Sequence, residues 1–147
     1  ESVSWASHQS PMADVANSIM LVPMNNSGKC RWYIADAYLP ATGIGERWES
    51  HESLCVLNVT GRDAHLQVTL YFEDRPPVDT IRINVPAQRN LHLGTNRPER
   101  WGGFAIPREV PYAIGVVSDV PVICQYSRMD VTQPNMTLMS TTPYCED

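Results

Sequence analysis

Lysine is nearly missing from this chain: Lys29 stands alone beside ten arginines in 147 residues. Basic charge is scarce overall, and the net charge of −5 argues against non-specific nucleic-acid binding, which needs a positive surface to release counterions from phosphates. No apolar run approaches the ~20 residues that span a bilayer, so a membrane-embedded chain is not expected. Cysteines at 30, 55, 124 and 145 form no close pair of the zinc or redox kind. Histidines at 8, 51, 65 and 92 make no H-x-x-H spacing, which leaves a metal-dependent enzyme built on His51, His92 and Glu52 as the weakest reading.

What is present is an ordinary soluble composition, 43% hydrophobic and 18% charged, enough for one domain with a core and too little for two. Arginine offers a planar fork for carboxylates and stacks on rings, so its excess favours defined pairings. Cys55 and Cys124 lie in apolar runs and read as small buried hydrophobes; reduced thiols in a cytoplasmic protein are expected, with a Cys55–Cys124 bridge as the alternative. Residues 1–28 read as an N-terminal extension, either disordered or holding one short helix over Met12, Val15, Ala16, Ile19 and Met20. It does not resemble a signal peptide, for it lacks a basic n-region. The triplets Asn58-Val59-Thr60 and Asn135-Met136-Thr137 fit the glycosylation pattern and carry little weight.

From residue 29 to 147 the pattern is strands. Trp32 and Ile34 alternate with Arg31, Tyr33 and Ala35, and residues 54–59 are nearly continuously apolar. Leu66, Val68, Leu70 and Phe72 alternate with polar neighbours, as Ile81, Ile83 and Val85 do later. Pro76-Pro77 forces a turn between those two strands. Segments 87–93, 112–118 and 122–129 supply three more, with a turn expected at Ser118-Asp119-Val120-Pro121. Short strands with Pro/Gly turns and no long helix imply an all-β fold, a single antiparallel β-sandwich domain.

Four places could carry chemistry. His51 and Glu52 open the central strand, although neighbours on a strand face opposite ways and do not act on one atom. Arg89 with His92 is the second. Gln125, Arg128 and Asp130 end a strand, where an amide, a guanidinium and a carboxylate stand together. Burying such groups without partners costs roughly 2–7 kcal/mol each. Trp32, Asp36 and Tyr38 form the fourth, rings flanking an acid. Each has a plainer account: a structural histidine, an edge ion pair between Arg128 and Asp130, a core tryptophan. Together they suggest side chains converging on one polar pocket at the end of the sandwich.

These same residues carry a family resemblance. Tyr38-Leu39-Pro40, Ser50-His51-Glu52 with Leu57-Asn58, Val85-Pro86-Ala87-Gln88-Arg89 with His92, Ser118-Asp119-Val120-Pro121 with Gln125, Arg128 and Asp130, and Leu138-Met139-Ser140-Thr141 occur in order. Over about residues 29–144 the chain resembles the Anabaena sensory rhodopsin transducer family. The resemblance implies a β-sandwich, a homotetramer, a cytoplasmic location, and a pocket for a sugar or related metabolite; no cofactor or metal is expected, since no ligand spacing for one stands out. It points to Trp32, Asp36, His51, Glu52, Arg89, His92, Gln125, Arg128 and Asp130 as ligand-binding residues. Departures are Asp36-Ala37 where the family has Glu-Gly, Gly94 where it has a basic residue, Tyr126 where it often has histidine, and a loop with Arg97, Arg100 and Trp101-Gly102-Gly103 that does not map.

The leading expectation is a non-enzymatic binding domain for a small polar ligand with a signalling or regulatory role. The alternative is a transducer-type adaptor that binds a signalling protein partner and no small molecule.

Overall fold

The computed structural model describes residues 27–44 and 47–146; the N-terminal extension, with its candidate helix, lies outside them. Eight strands follow one another: β1 (Lys29–Tyr38), β2 (His51–Asn58), β3 (Ala64–Phe72), β4 (Val78–Val85), β5 (Arg89–Gly94), β6 (Pro111–Asp130), β7 (Thr137–Thr141) and β8 (Tyr144–Glu146). All pairings are antiparallel. One sheet runs β4-β3-β6-β1-β8, and the other sets β2 between β5 and β6, with β7 on the far side of β6. The fold is an all-β sandwich.

β6 belongs to both sheets. Its first half pairs with β3 from Tyr112 to Ser118, and its second half pairs with β2 from Ile123 to Met129. The turn expected at Ser118–Pro121 is therefore absent, and two expected strands are one of 20 residues. Pro121 falls where the ladder passes from one sheet to the other, a place that tolerates a missing N–H. Just beyond the β3 pairing, the Asp119 carboxylate accepts the His65 backbone N–H at 2.8 Å and lies 2.9 Å from His65 Nδ1, closing the seam.

Strand alternation places the core. Leu54, Val56, Leu66, Val68, Leu70, Ile81, Val85, Leu93, Ile114, Val116, Val122 and Cys124 are all buried between the sheets. Truncating one such leucine to alanine costs roughly 2–5 kcal/mol. Trp101 is wholly buried and comes from a short 3-10 turn, Pro98–Trp101. Its indole N–H donates to the Gly94 carbonyl at 2.9 Å, so the unmapped loop is anchored by a core plug. Gly28 has φ +102, and a Cβ there would stand 2.4 Å from the Val122 carbonyl oxygen; only glycine admits that approach.

Candidate functional site

The sequence-predicted residues divide between two faces, and strand parity decides which. Glu52 and Arg128 are direct cross-strand partners, and both turn inward. Glu52 is fully buried; Arg128 Nε donates to its Oε1 at 3.0 Å. The Tyr38 backbone N–H donates to the same oxygen at 2.7 Å. The Tyr112 hydroxyl donates to Oε2. Thr95 exchanges hydrogen bonds with the Glu52 backbone. The Glu52 carboxylate thus holds Arg128 and Tyr112 on β6 and the end of β1, clamping one sheet to the other, while its backbone holds the loop after β5.

Titration follows from that burial. Tyr112 is pushed far above the usual phenol range by desolvation, then by Tyr126 and by the Glu52 charge. Tyr126 is raised by burial and by Glu52. For Arg128, desolvation favours the neutral form, but the hydrogen bond and charge of Glu52 outweigh it and the net direction is upward. Its guanidinium also lies 5.9 Å above the Tyr38 ring. Asp36 approaches Arg128 Nη2 at 3.6 Å from a side chain that is 84% exposed, a weak outer partner.

The opposite face of the β5-β2-β6-β7 sheet gathers the others. His92 stands opposite Cys55, and Cys55 opposite Gln125. Gly94, Ser53 and Ser127 form the next row, with Ser140 on β7 continuing it. His51 and Met129 form the third. Two adjoining depressions of about 430 and 510 Å³ cover this face and share Cys55, His92 and Gln125. Arg89 and Asn90 line the first; His51, Asn96 and Arg97 line the second. The Gln125 amide N–H donates to Ser140 Oγ at 2.7 Å. His51 Nδ1 donates to the Glu49 carbonyl at 2.9 Å.

His51, His92 and Gln125 are therefore brought together in one depression, and Arg89 lines the adjoining one at the far end of β5. The convergence expected of Arg128 and Arg89 does not occur, because Arg128 faces the interior. Asp130 is apart from both groups: its Oδ1 accepts the Thr132 backbone N–H and hydroxyl at 2.8 and 2.6 Å, which holds its carboxyl below the ordinary range. Trp32 belongs to the core, 4% exposed, with its indole N–H donated to the Lys29 carbonyl. Cys124 is buried as expected, whereas Cys55 is only half-buried on the outer face. Side chains on opposite faces of the sheet do not bridge, and the described cysteines are free.

Sequence reasoning missed Arg97, Asn96 and the serines 53 and 127, as well as Tyr112 and Thr95 beside Glu52. Period-two spacing from His51 through Ser53, Cys55 and on to Leu57 carried the signal for the serine row. Arg97 had no such signal, since a loop delivers it. A Cβ on Gly94 would lie 3.1 Å from Asn96 Oδ1 and at ordinary contact distance, 3.5 Å, from Arg97 Cγ, so the glycine chiefly gives room to the Asn96 side chain.

The family model described as Anabaena sensory rhodopsin transducer matches residues 27–145. A crystal structure titled Thermotoga maritima 1070 is similar at 36% identity and a TM-score of 0.73, covering 82% of this chain and 97% of that one. The Anabaena sensory rhodopsin transducer is similar at 35% identity and a TM-score of 0.59, covering 67% of this chain and 96% of that one. No curated protein matches the chain.

Proposed function

The chain belongs to the Anabaena sensory rhodopsin transducer family, and from that premise we propose that it is a non-enzymatic signalling domain whose outer face on the β5-β2-β6-β7 sheet binds a small polar ligand of the carbohydrate class. The carrying observation is the gathering of His51, His92, Gln125 and Arg89 over two adjoining depressions from three different strands. Concave sites with a few convergent polar groups are where small molecules bind. Forked and amide donors fit hydroxyls and carboxylates. The Glu52–Arg128 clamp keeps β2 and β6 in register beneath the site and takes no part in contact. No cofactor or metal enters this reading, nor does a photoreceptor partner. The working assembly is a cytoplasmic homotetramer.

A second reading has its own observation. Leu57, Ile123 and Leu138 on the same sheet are 40%, 37% and 75% exposed, an apolar margin that suits a protein partner. A thermal-shift panel of monosaccharides, polyols, uronic acids and sugar phosphates separates the two. A ligand at a hundred times its dissociation constant adds roughly 2.7 kcal/mol of stability. The ligand reading expects a clear melting shift from at least one compound; a panel without any shift favours the adaptor.

A further inference from the structure

Among the described residues lining the two depressions there are two arginines, Arg89 and Arg97, two histidines, His51 and His92, and not one carboxylate. The chain as a whole carries 16 acidic against 11 basic residues, so this face runs against the average. The remaining polar lining is Ser53, Gln88, Asn90, Asn96, Gln125 and Ser127, all able to donate hydrogen bonds. Two neighbouring acids already have partners. Glu52 is buried against Arg128 on the opposite face. Glu49, at the rim, has its carboxylate held by Arg108 and by the Asn96 amide at 3.0 Å.

Neither lining arginine is paired with a carboxylate among the described residues. Arg89 donates one N–H to the Gln88 carbonyl at 2.9 Å, which leaves further guanidinium N–H groups without an acceptor among the described residues. His51 spends Nδ1 on the Glu49 carbonyl and keeps Nε2. A concave face with cations and without anions focuses a positive potential, and a planar guanidinium matches a carboxylate or phosphate through two parallel bonds.

We propose that the molecule recognised on this face carries an anionic group, a carboxylate or a phosphate on a sugar-sized body, and that Arg97 holds it beside His51 and His92, which line the same depression. The inference rests on the ligand site proposed above and adds the charge of the ligand. Gln125, Ser53 and Ser127 then meet the neutral hydroxyls, since they line the same depression as Arg97 on adjoining strands.

The test is calorimetric titration of the full chain with glucose, glucuronate, glucose 6-phosphate and inorganic phosphate, at low and high sodium chloride. Glucuronate or glucose 6-phosphate binding tenfold or more tightly than glucose, with affinity falling as salt rises, is the expected result. Arg97→Gln should lose that preference at an unchanged melting temperature, whereas Arg82→Gln on the other sheet keeps it. Inorganic phosphate binding as tightly as the sugar phosphate supports the anion site and takes the sugar out of it. Glucose binding as tightly as the anions, without salt dependence, overturns the inference and leaves the ligand site standing. Failure of all four compounds overturns the inference; the site itself is then judged by the wider neutral panel.

Discussion

Arg128→Ala should destabilise the folded protein severely, and it should do so without touching the ligand face. Glu52 is fully buried and Arg128 is 19% exposed, so removing the guanidinium strands a carboxylate that retains only Tyr112 and the Tyr38 N–H. Breaking a buried pair on one side costs about 3–5 kcal/mol. For a domain of this size each kcal/mol moves the melting midpoint by roughly 3–5 °C, which gives a fall of roughly 9–25 °C. The double variant Glu52→Gln with Arg128→Met removes both charges and leaves an amide that still meets Tyr112, so it should recover more than half of the loss. Differential scanning calorimetry of wild type, single and double variants decides the matter. A single variant melting within about 2 °C of wild type, or a double variant no better than the single, would refute the clamp.

Asn58 should prove a structural corner rather than a glycosylation acceptor. Its amide donates to the Arg62, Val85 and Pro86 carbonyls and its oxygen accepts from Thr60, so Asn58→Ala should cost roughly 1–3 kcal/mol or more in chemical denaturation. Burial pushes the Cys124 thiol up to about 12, so alkylation of native protein near neutral pH should label Cys55 and spare Cys124, read by peptide mass spectrometry; equal labelling would contradict the assigned faces. Asp119 is held below its ordinary value by the His65 backbone and ring, and Asp130 by the Thr132 hydroxyl and N–H. With folded values depressed, their contribution is present above the unfolded carboxylate value and is lost as pH falls through the folded one. Replacing both with asparagine should flatten the decline in melting temperature below about pH 4; an unchanged acid limb would count against these contacts.

The fold was largely legible because alternation reports burial directly. Leu66, Val68 and Leu70 are buried where their period-two spacing predicts, and Pro76-Pro77 separates β3 from β4. The join of two strands into β6 was not legible, since Pro121 ordinarily signals a break and only the sheet-to-sheet passage accommodates it. β7 and β8 have short exposed patterns, and their pairing to β6 and β1 depends on distant partners. The site was half legible. Parity on β2 separates His51 from Glu52, and the same rule applied to β6 separates Gln125 from Arg128. Matching those β6 faces to the β2 faces needs the register of β6 against β2, which a single sequence does not carry. The loop between Gly94 and Phe104 had no periodicity at all, so neither the Trp101 plug nor the reach of Arg97 had a local signature.

The central claim is that ligand recognition lies on the outer face while the Glu52–Arg128 pair only supports it. Nitrogen-15 correlation spectra of the labelled chain, titrated with glucuronate, test it most directly. The account predicts shifts concentrated at the backbone amides of His51, Ser53, Cys55, His92, Arg97, Gln125 and Ser127, with Asp36 and Asp130 little moved. Shifts centred on Asp36, Tyr38 and Asp130, with the outer face silent, would contradict it.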